Sequence, residues 1–185
     1  MEKSVLMGGF GGQGVQTCGK LLIKAANEED KIATFYSEYG GVMRGGTSNC
    51  TIITSDEEIG APNIKIVNNV VAFNIPSFNK FEPRVLPGGT MVVNSTLIDK
   101  EMYKRDDITY VEIPATELSQ QLGSSKVLNI ILLAFFCEYT EMISTDAARK
   151  IVAEEFGNKR PELMELNTKA FDIGVEWAVK AKKNN

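Results

Sequence analysis

The stretch Ser4-Val5-Leu6-Met7-Gly8-Gly9-Phe10-Gly11-Gly12-Gln13-Gly14-Val15 decides the fold. Ser4 to Met7 favours a short strand, and the glycine cluster from Gly8 to Gly14 ends it. Beyond it, Val15, Cys18, Leu22 and Ala25 recur at steps of three and four, which predicts an amphipathic helix. Strand, glycine turn and helix make a Rossmann-like first βα unit. Gly9, Gly11 and Gly14 fit G-x-G-x-x-G in the context that this fingerprint requires. Glycines permit positive φ and a close backbone approach, and the unpaired N–H groups at a helix start point at an anion. Gly11, Gly12, Gln13 and Gly14 are therefore candidate ligand-binding residues. A dinucleotide, another phosphate-bearing ligand, or a tight turn with no ligand all fit the motif.

Working outward, the polar run Asn27-Glu28-Glu29-Asp30 closes the helix, and residues 32–36 read as a second strand. A second glycine-rich loop follows through Gly40, Gly41, Gly45 and Gly46, then a third strand over 48–54. A parallel crossover needs about a dozen residues and usually a helix. The loop has no helical periodicity, so strands two and three are predicted to pair antiparallel. That breaks the βαβαβ half on which a dinucleotide site is built. It counts against a stand-alone NAD(P)- or flavin-binding oxidoreductase, although Glu38 stands where a ribose-binding carboxylate would.

Further strands are predicted over 69–74, 90–94 and 108–113, with Pro87-Gly88-Gly89 as a turn. Helices are predicted from Pro76 through Phe81, from Pro114 through Leu122, and over 126–139, 144–156 and 161–182. The expected fold is one α/β domain over residues 1–185. It is a three-layer α/β/α arrangement around a mixed, mostly parallel sheet. The helices after residue 126 cover the sheet and offer a docking face.

Composition narrows the chemistry. Of 185 residues, 43% are hydrophobic and 24% charged, as in an ordinary globular domain. Twenty basic residues against 24 acidic ones give a net charge of −4, so nothing draws the chain to nucleic acid or anionic lipid. Anions must be held locally. There is no histidine, which removes Ser–His–Asp and Cys–His nucleophilic sites and nearly all zinc enzymes. Cys18, Cys50 and Cys137 lie far apart, without the clustering of a metal or iron–sulfur site, and read as small buried residues in a reducing cytoplasm. The apolar run 127–137 falls short of the roughly 18–20 residues a membrane span needs and reads as a buried helix. The start of the chain does not read as a signal peptide.

The second glycine loop is the most informative segment: Tyr36-Ser37-Glu38-Tyr39-Gly40-Gly41-Val42-Met43-Arg44-Gly45-Gly46-Thr47-Ser48-Asn49-Cys50. An arginine between two glycine pairs suits a clamp that holds a carboxylate or phosphate bidentately. Arg44, Gly45 and Gly46 thus join the candidate site. The two glycine loops at this spacing, with Ile59-Gly60-Ala61-Pro62, Asn74-Ile75-Pro76-Ser77, and Pro87-Gly88-Gly89 leading to Asn94-Ser95, resemble the gamma subunit of 2-oxoacid:ferredoxin oxidoreductases. The match runs in order to about residue 180. The Met-Arg-Gly-Gly-Thr version looks most like subunits assigned to branched-chain or unspecified 2-oxoacids. Gly41 and Val42 depart from the Pro and Glu that the family often carries there.

The resemblance implies a subunit of a complex that oxidatively decarboxylates a 2-oxoacid to acyl-CoA and passes the electrons to ferredoxin. It implies alpha and beta partners, with a small delta subunit in many members. Thiamine diphosphate, magnesium and the iron–sulfur clusters are then held by the partners. No catalytic residue, metal or resident cofactor is assigned to this chain. Its expected roles are assembly and the binding of coenzyme A as co-substrate, at Gly11 to Gly14 and Arg44. A stand-alone dinucleotide-dependent oxidoreductase is the competing expectation. An isolated copy is expected to be able to pair with itself.

Overall fold

The computed structural model describes residues 1–39, 47–159 and 163–184. The chain runs β1 (Lys3–Phe10), α1 (Val15–Glu28), β2 (Ile32–Tyr39), β3 (Thr47–Ser55), β4 (Val67–Ala72), α2 (Ile75–Phe81) and β5 (Val85–Asn94). It continues through β6 (Thr109–Ile113), α3 (Ala115–Gln121), α4 (Leu128–Thr140), α5 (Thr145–Lys159) and α6 (Met164–Asn184). Among the described residues the strands form one six-stranded sheet in the order β2-β3-β1-β4-β5-β6. β1, β4, β5 and β6 are mutually parallel, while β3 runs antiparallel to both β1 and β2. The predicted mixed, mostly parallel sheet and the antiparallel second and third strands are both present. Because β3 separates β1 from β2, α1 does not join adjacent parallel strands. The unit that a dinucleotide-binding half requires is therefore missing.

Side chains alternate across the sheet. On one face, Val5, Met7, Cys50, Ile52, Val71, Val92 and Val111 meet α1, α3, α4, α5 and α6. On the other, Leu6, Val70, Met91 and Val93 meet α2 with its Phe78 and Phe81, and the segment carrying Ile98. The second helical layer is therefore thin, one short helix with 3-10 turns at Glu82–Arg84 and Lys100–Met102. Helix α4 is buried on every side from Leu128 to Cys137 and, apart from Asn129, apolar over that span, as suits a central helix. The three cysteines are free and buried, and burial pushes each thiol up from its ordinary value. No helix among the described residues is long and apolar enough to cross a membrane.

Two boundaries differ from the sequence expectation. Strand β1 continues through Gly8, Gly9 and Phe10, which pair with Asn49, Ser48 and Thr47 of β3. Pro87-Gly88-Gly89 is not a turn between elements but part of β5. Val85 pairs with Val67 and Thr90 with Asn69, so these residues form an irregularity in the ladder, with Gly88 at φ 79°.

Glu29 ties the end of α1 to the start of α5. Its Oε1 accepts from Ser144 N at 2.6 Å and its Oε2 from Lys31 Nζ at 2.6 Å, while Lys31 also donates to Met142 O at 3.2 Å. Partial burial alone would raise this carboxyl's pKa. The bonds from Lys31 and Ser144 outweigh burial and hold it below its ordinary value. A carboxyl whose folded pKa is depressed stabilises above the unfolded value, about 4.3, and loses that contribution as pH falls through the folded value. Glu29→Gln is expected to lower the urea midpoint at neutral pH, with the gap to the parent closing in acid. Parallel midpoint-against-pH curves for the two proteins would refute this account of the carboxylate.

Candidate anion-binding site

The carboxyl ends of β1, β4, β5 and β6 share one edge of the sheet, and the β2 end and β3 start lie on the same edge. Ligands of open α/β sheets sit outside this edge. Phe10, where the first glycine turn leaves β1, pairs with Thr47, and Tyr39 pairs with Ser48. The two ends that flank the second glycine loop are therefore beside the first one. Arg44, Gly45 and Gly46 themselves lie outside the described residues.

The first turn is built by local necessity. Gln13 N donates to Phe10 O at 3.2 Å, and Gly11 and Gly12 are exposed. Gly12 at φ 95° and Gly14 at φ 78° take conformations that L side chains avoid. Gly14 is the N-cap of α1, and no side chain among the described residues caps this helix. The first intrahelical bond is Cys18 N to Gly14 O at 3.0 Å. The N–H groups of Val15, Gln16 and Thr17 thus lack helix partners. The first turn of α1 carries no acidic residue. A helix of 14 residues beginning this way presents roughly half a positive charge and a fan of donors to an anion.

A set of carboxamides braces the turn from behind. Gln13 Oε1 accepts from Phe10 N at 2.7 Å and from Asn74 Nδ2 at 2.9 Å. Asn74 Oδ1 in turn accepts from Ser77 N at 3.0 Å and caps α2. Buried Asn94 donates through Nδ2 to Phe73 O at 3.0 Å and to Thr116 Oγ1 at 2.8 Å, which joins the ends of β4 and β5 to α3. Gln16 Nε2 donates to Ser48 Oγ at 3.1 Å and Asn49 O at 2.9 Å, which fixes the α1 start to the β3 start. Asn129 of α4 lies against Gly14, its Nδ2 3.5 Å from Gly14 O. Of the sequence-predicted residues, Gly11, Gly12, Gln13 and Gly14 are brought together here. Gln16, Asn74, Asn94 and Asn129 were not anticipated. An asparagine directly after each of the apolar runs of β4 and β5 was the available signal for two of them.

Comparison with known proteins gives a consistent answer. A family model described as pyruvate ferredoxin/flavodoxin oxidoreductase matches residues 4–177. The ketoisovalerate oxidoreductase subunit VorA of Methanothermobacter marburgensis is 30% identical over 180 residues, 97% of this chain but 37% of VorA. The VorA of Methanothermobacter thermautotrophicus is covered to 36%, so the chain spans little more than a third of these curated relatives. The 2-oxoglutarate synthase subunit KorC of M. marburgensis is 29% identical over 189 residues, 99% of this chain and 100% of KorC. Among solved structures, the gamma subunit of a keto/oxoacid ferredoxin oxidoreductase from Geobacter sulfurreducens superposes with a TM-score of 0.82 at 27% identity. That match covers 97% of this chain and 99% of the other. The 2-oxoglutarate:ferredoxin oxidoreductase of Magnetococcus marinus, solved with 2-oxoglutarate, coenzyme A and succinyl-CoA, shares the fold. Its TM-score is 0.88 at 20% identity, covering 97% of this chain and 31% of that one.

Proposed function

This chain belongs to the pyruvate ferredoxin/flavodoxin oxidoreductase family, and we propose that it is the gamma-type subunit of a 2-oxoacid:ferredoxin oxidoreductase that helps bind coenzyme A. The complex would convert a 2-oxoacid and coenzyme A to acyl-CoA and carbon dioxide, with ferredoxin taking the electrons. Thiamine diphosphate with its magnesium ion would supply the decarboxylation and iron–sulfur clusters would carry the electrons, held by alpha and beta partners and, in complexes that have one, a delta subunit. This chain's own part is positional. The observation that carries the reading is the uncapped start of α1 behind a glycine turn, on the strand-end edge and next to the flanks of the second glycine loop. Coenzyme A presents phosphates, which suit such a helix start. Arg44, Gly45 and Gly46 join the site on sequence grounds, the guanidinium as a bidentate partner for a phosphate.

The test uses the assembled complex. Thr17 is exposed in the first turn of α1, so Thr17→Glu adds a negative charge to the helix start that would attract a phosphate. The change favours the helix itself, because a negative charge near the N-terminus is stabilising. The KM for coenzyme A is expected to rise severalfold while the KM for the 2-oxoacid stays put. An unmoved KM for coenzyme A in an intact complex removes the coenzyme from this helix.

A further inference from the structure

We infer that Gln13 is a fixed hydrogen-bond donor to an oxyanion of the bound coenzyme, and that Asn74 is the positioning residue that decides which end of the Gln13 amide faces the ligand. The inference rests on the coenzyme reading above and goes beyond it by assigning an orientation and a cause.

A carboxamide has two ends of similar shape and opposite hydrogen-bonding character, so its direction must come from its partners. Here two backbone donors settle both amides. Phe10 N–H can only donate, so the Gln13 atom 2.7 Å from it is Oε1. Ser77 N–H can only donate, so the Asn74 atom 3.0 Å from it is Oδ1. The other end of Asn74 is then Nδ2, which donates to Gln13 Oε1 at 2.9 Å. Every bond in the chain agrees with the assignment. Reversing Gln13 would set its NH2 against two donors. Asn74 is buried and held at the N-cap of α2, so it cannot turn to suit the ligand.

The consequence falls on the far end of Gln13. With Oε1 used twice, Nε2 keeps both of its donors free among the described residues. It belongs to a half-buried side chain between exposed Gly12 and the start of α1. Gly9 makes this arrangement possible, because a Cβ there would lie 2.8 Å from Gln13 Oε1. The donors of the site then come from two sources. Backbone N–H groups of α1 give the charge preference, and Gln13 Nε2 adds a directed bond. An acceptor group is selected, and a donor group at the same place is rejected. A phosphate oxygen of the coenzyme has the matching chemistry.

Two substitutions separate this from a merely structural role. Gln13→Glu keeps an acceptor for Phe10 N–H and for Asn74 Nδ2, so the turn is preserved, but it replaces the free donor with an anionic acceptor. Asn74→Asp keeps the cap on α2, since aspartate caps as well as asparagine. It also sets a carboxylate oxygen against Gln13 Oε1 and draws Nε2 inward. Both variants, in the assembled complex, are expected to raise the KM for coenzyme A at least severalfold. The KM for the 2-oxoacid should hold in both, and the melting temperature of the isolated chain should hold in Gln13→Glu; Asn74→Asp should lower it, because a turned Gln13 sets Nε2 against Phe10 N–H. Asn74→Ala is the contrast, expected to lower the melting temperature through the lost cap instead. If Thr17→Glu raises the KM for coenzyme A while Gln13→Glu and Asn74→Asp leave it unchanged, the inference is overturned and the coenzyme reading stands. If Thr17→Glu is inert as well, both fall.

Discussion

Gly14→Val is expected to destabilise the isolated chain by about 3 kcal/mol or more, combining a left-handed backbone penalty with overpacking. Two independent costs meet at this residue. Its φ of 78° and ψ of 18° lie in the left-handed region, where a β-branched residue is a genuine outlier. A Cβ would also stand 2.4 Å from Asn129 Nδ2 and 2.7 Å from Asn129 Cγ. Asn129 is buried in the first turn of α4 and its backbone O accepts from Cys18 Sγ at 3.0 Å, so it has little room to retreat. Gly12 provides the control. It has a φ of 95° but, among the described residues, nothing within 4 Å of a built Cβ, so Gly12→Val meets only the conformational cost, about 1–2 kcal/mol. Melting curves of the two variants separate the terms. For a domain of this size each kcal/mol moves the midpoint by about 2–4 °C. Equal shifts would mean that the contact with Asn129 contributes nothing.

The features legible in the sequence were those set by local chain properties. Residues 37–47 are too few and too rich in glycine for a helical crossover, and β2 and β3 pair antiparallel as that argument requires. Val15, Cys18, Leu22 and Ala25 mark the buried face of α1 because a single helix repeats its own contacts. What escaped the sequence depends on partners far along the chain. Gly8 to Phe10 read as a loop, yet they are strand because Asn49, Ser48 and Thr47 supply their ladder. At Gly8 a side chain would run into Phe81, so its glycine reports tertiary packing as much as a turn. Gly89 likewise sits where a Cβ would lie 2.3 Å from Asn68 O, a crowding invisible until β4 and β5 are paired. The carboxamides of the site follow the same rule. Gln13 and Asn74 are 61 residues apart, and nothing near either one announces the bond between them.

Gly174→Leu is expected to have the other large effect, and its sign tests whether propensity or packing governs the helical layer. In an exposed helix, exchanging glycine for a good helix former gains roughly 1 kcal/mol, so propensity alone predicts a more stable protein. The contact with α4 opposes this. A Cβ on Gly174 would lie 2.4 Å from Ile131 O, 2.8 Å from Ala134 Cβ and 3.1 Å from Phe135 N. Two of those atoms are backbone in a helix buried on every side, so α4 cannot yield and α6 must lift away. Overpacking of this kind costs about 1–3 kcal/mol for added methylenes, and a whole leucine side chain sits at or above the upper end. Lifting α6 also loosens buried Phe171 and Ala178 on either side of the glycine. Packing therefore outweighs propensity, and the melting temperature should fall by several degrees. Gly157 in α5 supplies the opposite case: among the described residues its built Cβ meets only Met164 Sδ, at 3.6 Å, an ordinary contact with a flexible side chain. Gly157→Ala should raise the melting temperature slightly, about 0.5–1 kcal/mol of added helix stability. A Gly174→Leu protein as stable as the parent would mean that α6 is not seated on α4 as closely as this geometry requires.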